Sequence, residues 1–216
     1  MRYIIHACQD RLWYVEKYLL PSMLEQGILR ENISIYVDKH NLGNLEACMK
    51  IFQAMPNNLE NSWHLQDDGI ICEDFKEWTE KEFDEDIICA FASKYDKAMP
   101  GTTDVFNMWW SFQCMRIPNN IAYRCAKWFY DIAVNDKEYQ FYVRQRKFDD
   151  LIFQIFIQEN YPKLSVLNLA PNLVNHIDWL IGGSQCNRQR DGIVLSQYWE
   201  DNKIVVDLKE RLKRDK

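Results

Sequence analysis

The stretch Trp63-His64-Leu65-Gln66-Asp67-Asp68-Gly69-Ile70-Ile71-Cys72 decides how the rest of the chain is read. An apolar, strand-like run breaks at two adjacent carboxylates, and a glycine and a second apolar run follow. An unpaired carboxylate is expensive to bury inside a sheet. Two side by side at a strand end have a cation to hold or a proton to share, or else they form a solvated polar turn between short strands. The elements on either side favour the first alternative.

Upstream, Tyr3-Ile4-Ile5-His6-Ala7-Cys8 is a short apolar run of the buried parallel-strand type. Asp10 opens a helix to about Gln26, with Leu12, Val15, Leu19 and Leu20 at helical spacing and Gly27 as its stop. Ile33 to Val37 reads as a second strand ending at Asp38, and residues 42–55 as a helix ended by Pro56. Downstream of the acidic pair, residues 74–83 read as a short amphipathic helix and 87–92 as a fourth strand. This alternation is the pattern of an α/β domain with a mixed, mainly parallel sheet flanked by helices. Functional residues in such sheets gather at the carboxyl ends of strands. Here the expected ends carry His6, Asp38 and Asp67-Asp68.

The second half is less regular. Residues 94–104 read as a loop and the aromatic-rich 105–117 as strand. A helix runs from Pro118-Asn119-Asn120 to about Val134, and another opens at Asp149-Asp150 and runs to about Asn160. Residues 165–177 read as strand or extended chain, Gly182-Gly183-Ser184 as a flexible break, and 203–216 as a charged, solvated helix. Without repeats or a linker, one domain is expected over 1–216.

The 216 residues are 47% hydrophobic and 14% aromatic, enough for a globular domain with a full core. Acidic residues outnumber basic ones, 32 to 26, and the net charge of −6 gives no bulk reason to bind nucleic acid. The seven cysteines form no C-x-x-C pair, which argues against a zinc ribbon or a thioredoxin motif. With no signal-like start and no run long enough to span a bilayer, the expected location is a reducing cytoplasm.

The two opening βα units, Asp38, and Leu65-Gln66-Asp67-Asp68 followed by Asp74-Phe75 resemble the GT-A-fold nucleotide-sugar glycosyltransferases. The match is to the "EDD…DF" form of the DxD motif found in small bacterial and phage enzymes. Arg116-Ile117-Pro118-Asn119, Asp149-Asp150 and His176-Ile177-Asp178 fit the same order over residues 1–185. The resemblance implies a GT-A-like, Rossmann-type sheet with a nucleotide-sugar half at 1–93, an acceptor half with a C-terminal loop at 94–202, and a C-terminal helix. It implies metal-dependent transfer of a hexose from a nucleotide sugar, usually a UDP-sugar, to a hydroxyl. The chain departs from the family at Gln66, where an acid would contact the donor ribose or the metal; a metal role for Asp68 survives that change.

Within this resemblance Mn²⁺ or Mg²⁺ offsets the charge of the leaving diphosphate. Asp68 is the first ligand candidate, Asp67 the second and His176 the third. Asp38 would contact base or ribose. His6, Arg11, Gln66 and Asp67 would face the donor. Arg188 and Arg190 would close over the diphosphate on a lid of residues 182–192. Trp109 and Trp110 would offer a ring face to the acceptor. Asp149 or Asp150 would be the base, while the other caps its helix. Plain alternatives stand beside these: a turn carboxylate at Asp38, solvated charge at the arginines, a hydrogen-bonded structural His176, and core packing for one tryptophan. The acceptor is a cell-surface glycan or, given the basic and aromatic stretch 139–147, a hydroxymethylated DNA base. Two other functions remain open. A nucleotidyltransferase would carry a Gly-rich basic loop where this chain has Cys8-Gln9-Asp10-Arg11. A non-catalytic nucleotide-sugar-binding module is favoured by Gln66.

Overall fold

The computed structural model describes residues 1–92, 99–107, 112–137, 139–141, 143, 149–181 and 198–215. In chain order the elements are β1 (Arg2–Cys8), α1 (Leu12–Tyr14), α2 (Leu20–Glu25), β2 (Ile33–Asp38), α3 (Asn44–Gln53), β3 (Asn61–Gln66), β4 (Gly69–Ile71) and α4 (Phe75–Thr79). There follow β5 (Ile87–Cys89), β6 (Gly101–Asp104), β7 (Cys114–Pro118), α5 (Asn119–Trp128), α6 (Asp149–Asn160), β8 (Ser165–Asn168), β9 (Val174–His176), α7 (Asp178–Ile181) and α8 (Asn202–Arg214).

The fold is α/β. Seven strands form one sheet in the order β2-β1-β3-β7-β5-β8-β6. β1, β2, β3, β5 and β8 run one way, and β7 and β6 run the other. β1 reads as a continuous apolar run because both its faces are covered. Ile4 joins the core beneath α3, α5 and α6, while Tyr3, Ile5 and Ala7 join the core on the opposite face. The same alternation puts Ile87 and Cys89 on the first face and Ile88 on the second.

α1 and α2 belong to one helical run joined by a wide turn at Val15–Leu19. Pro21 follows that turn; its ring crowds the carbonyl four residues back and it donates no N–H, so the ladder loosens before it. The run ends at Gly27, whose φ of +79° lets the Ile28 N–H close on the Met23 carbonyl at 3.1 Å.

Several sequence expectations change. The acidic pair does not lie in one long strand: β3 stops at Gln66, and β4 leaves to form a separate two-stranded sheet with β9. The expected strand 165–177 is accordingly two strands, divided at Pro171. The fourth strand does not follow the third in space, because β7 inserts antiparallel between β3 and β5. Residues 101–104 are an edge strand and not loop. The expected strand over 105–117 is confined to β7 among the described residues. The helix expected over 74–83 shortens to α4, whose buried anchors are Phe75 and Thr79. The Val143 N–H bonds the Tyr139 carbonyl at 2.9 Å, and the Tyr139 hydroxyl is engaged by Glu159. α8 is not merely solvated: Val205, Leu208 and Leu212 are buried in the second core, and Asp215 beyond it pairs with Lys17 at 2.8 Å. No helix among the described residues is long and apolar enough to cross a membrane.

Candidate functional site

Two strand registers assemble a charged cluster at the carboxyl ends of β1 and β3. His6 stands opposite Gln66, and the next residue, Asp67, donates its N–H to the His6 carbonyl at 3.0 Å. β1 runs on to Cys8, so His6 lies two residues inside the strand and not at its end as the sequence suggested. The Cys8 N–H donates to Asp67 Oδ2. A 3₁₀ turn at Gln9–Arg11 then throws Arg11 back over the strand end. Its Nη2 lies 2.8 Å from Asp67 Oδ1, its Nη1 binds Asp68 Oδ2, and its Nε donates to Cys8 Sγ at 3.2 Å. One guanidinium thus spans both carboxylates.

The small second sheet supplies the fourth member. β4 pairs antiparallel with β9 so that Gly69 faces His176, and the Ile177 N–H donates to the Asp68 carbonyl at 2.8 Å. This register places His176 Nε2 2.9 Å from Asp68 Oδ2. The Tyr14 hydroxyl donates to the Gly69 carbonyl at 3.0 Å and holds the turn from beneath. Asp67, Asp68, Arg11 and His176 are all buried. Asp68 Oδ1 is buried with no hydrogen-bond partner among the described residues.

The two carboxylates differ in proton affinity. Burial, with the Asp68 charge beside it, pushes the Asp67 carboxyl up to about 6 against the pull of Arg11. Burial acts on Asp68 in the same sense, but His176 and Arg11 outweigh it and hold that carboxyl below the ordinary range. Asp68 is therefore the more acidic of the two. Burial opposes the charge on Arg11, yet Asp68 and Asp67 hold it protonated above its ordinary range.

This cluster closes one end of a cleft of about 280 Å³. The other end is the β2–α3 loop, where Asp38 turns the chain: its Oδ1 accepts the His40 N–H at 3.2 Å and its Oδ2 the Gly43 N–H at 3.3 Å. Gly43 has a φ of +89°, which a side chain would resist, and it starts α3. Gln66 and Asp149 line the cleft between the two ends. Burial and the neighbouring Asp150 push the Asp149 carboxyl up to about 7. His6 also lines the cleft; burial drives its pKa down to about 3, and its Nε2 lies 2.9 Å from His64 Nδ1.

The tertiary structure thus brings together His6, Arg11, Asp38, Gln66, Asp67, Asp68, Asp149 and His176 around one cavity. Asp150 is not among its lining residues; its Oδ1 accepts the Leu151 N–H at 2.8 Å. Trp109, Trp110, Arg188, Arg190 and the lid expected over 182–192 lie outside the described residues. The sequence reading missed Tyr36, Lys39, His40, Lys50 and Gln113, which also line the cleft. The signal for two of them was present, since Lys39 and His40 directly follow Asp38. Nothing local marks Lys50 or Gln113.

A divalent cation suits part of this donor set. Asp68 Oδ1 is an unpartnered buried acceptor, and the 2.9 Å between Asp68 Oδ2 and His176 Nε2 matches the ~3 Å between adjacent ligands of a hexacoordinate ion with bonds of ~2.1 Å. Among the described residues no three such side chains already form a metal cage. A cation here would complete its shell with water and substrate oxygens, the usual arrangement for Mg²⁺.

No family model and no curated protein matches the chain. Among solved structures it is similar to the galactosyltransferase LgtC in complex with donor and acceptor sugar analogs, at 9% identity and a TM-score of 0.43, over 98% of this chain and 96% of that one. It is similar to A197 from STIV at 13% identity and a TM-score of 0.42, over 82% and 86%. To the apo-form glycosyltransferase GlyE of Streptococcus pneumoniae TIGR4 the values are 10% and 0.38, over 79% of this chain and 55% of that one. Likenesses this distant carry no chemistry from those proteins to this chain.

Proposed function

We propose that this chain is a glycosyltransferase that moves a hexose from a nucleotide sugar, UDP-linked as the sequence resemblance implies, to a hydroxyl acceptor. The observation that carries the reading is the buried Arg11–Asp67–Asp68–His176 cluster, with its unpartnered Asp68 Oδ1, closing a cleft at the carboxyl ends of three neighbouring parallel strands. That edge is where α/β sheets bind nucleotides.

In this reading the nucleoside lies against the β2–α3 loop, where Asp38, Tyr36 and Asn44 offer hydrogen-bonding groups, and the diphosphate points to Arg11. Asp68 and His176, with Asp67 behind them, hold Mn²⁺ or Mg²⁺. Such a cation would supply positive charge to offset the leaving diphosphate. Arg11 adds a fixed positive charge at the same end. The incoming hydroxyl oxygen bonds to the anomeric carbon, and Asp149 takes its proton. A carboxyl raised to about 7 suits that role, because it is basic enough to accept a proton yet largely ionised above neutrality.

A thermal-shift screen of nucleotide sugars with and without Mn²⁺, followed by an assay of nucleoside diphosphate release, tests this function. A true donor at 100 times its Kd stabilises the fold by about 2.7 kcal/mol. If no nucleotide sugar shifts the melting temperature and none is turned over, the reading fails.

A further inference from the structure

Arg11 sits between the two carboxylates. Its two terminal nitrogens bind Asp67 and Asp68, and on Asp68 it shares Oδ2 with His176. A divalent cation and a buried guanidinium at hydrogen-bonding distance from the same two carboxylates repel one another, so they compete. A cation bound at Asp68 Oδ2 therefore competes with Arg11, whose side chain lines the cleft that would hold another anion.

We propose that Arg11 is the resident counter-cation of the Asp67–Asp68 pair and makes the site selective for a divalent cation arriving with a diphosphate over the same cation alone. This rests on the transferase reading above for the identity of the anion. With the cation on Asp68, the guanidinium leaves the carboxylates for the phosphate oxygens, which it binds with the same bidentate geometry. In the resting state one guanidinium spans both carboxylates. In the loaded state the cation offsets the acids and Arg11 offsets the diphosphate. Metal and diphosphate then bind with positive coupling, each tightening the other by the same factor.

The test reads Mn²⁺ binding directly, from the loss of the free-ion signal in electron paramagnetic resonance, on the full chain at fixed pH. Arg11→Gln removes the competing charge. It is expected to bind Mn²⁺ without any nucleotide on the order of tenfold more tightly than the wild type, within the common range of site coupling. Arg11→Lys, a point charge that cannot span both acids, is expected to fall between them and serves where the glutamine variant does not fold. Adding UDP, with free Mn²⁺ corrected for the Mn–UDP complex, is expected to tighten Mn²⁺ in the wild type and to do so less in Arg11→Gln. The proposal is overturned if neither folded variant binds Mn²⁺ more tightly than the wild type, or if UDP binds and leaves wild-type Mn²⁺ affinity unchanged. The first arm contains metal alone. If it gives the expected tightening while no nucleoside diphosphate or nucleotide sugar binds, the competition stands and the transferase reading falls.

Discussion

Gln66 at the end of β3 reaches Asp149 at the start of α6, its Nε2 lying 3.4 Å from Asp149 Oδ2 across 83 residues of sequence. An amide donor here favours the ionised form of Asp149, whereas an acid would face it with a like charge. The glutamine at this position therefore has a partner that an acid would repel. Gln66→Glu is expected to raise the Asp149 pKa further and to destabilise the fold by about 1 kcal/mol or more above pH 7. Melting temperatures of the two proteins that coincide at pH 8 would contradict this.

Asp149 makes stability depend on pH. Its carboxyl titrates near 3.8 when unfolded and near 7 when folded, so the folded state holds more protons between those values. Stability conferred by the neutral form is complete below about pH 4 and is lost as pH rises through 7. Asp149→Asn is expected to remove this loss, gaining on the order of 3 kcal/mol relative to wild type at pH 8 and little at pH 4. The same variant should lower kcat by about 10²–10⁴-fold if Asp149 is the base, and the wild-type rate should rise with pH through about 7. Urea unfolding across pH, paired with a rate profile, checks both arms.

Asp68→Asn keeps the size of the side chain and leaves Arg11 its contact with Asp67. The fold is expected to persist with a loss of about 2–3 kcal/mol, less than for a buried charge stripped of every partner. Transfer should fall on the order of a hundredfold or more, and Mn²⁺ should no longer stimulate it. A folded variant with unchanged turnover and Mn²⁺ dependence would show that Asp68 is no ligand.

Asp38→Ala removes the acceptor for the His40 and Gly43 amides and so loosens the loop that bounds the far end of the cleft. Affinity for UDP is expected to fall about tenfold, a loss of about 1.4 kcal/mol, with kcat at saturating donor little changed. Calorimetric affinity equal to that of the wild type would count against this placement of the nucleoside.

The opening βα units were legible because their signals are local: apolar runs of strand length, helical spacing, and stops at Gly27 and Pro56. The acidic pair was legible as well, since two carboxylates between apolar runs are costly unless partnered. The sequence also pointed to Asp38, Arg11, Asp149 and His176 one at a time.

What the sequence could not show is which of these meet. His176 touches Asp68 only because β4 turns out of the main sheet and pairs with β9, and Arg11 spans both acids only because β1 runs two residues past His6 before it turns. Gln66 meets Asp149 only because α6 brings its first turn to the end of β3, and β7 fits between β3 and β5 for reasons that no local pattern carries. Periodicity and turn residues act over a few positions along the chain, and so they determined the elements and the character of the acidic pair. Charge pairing, burial and proton affinity depend on groups more than fifty residues apart, and these the packing of the sheet alone decided.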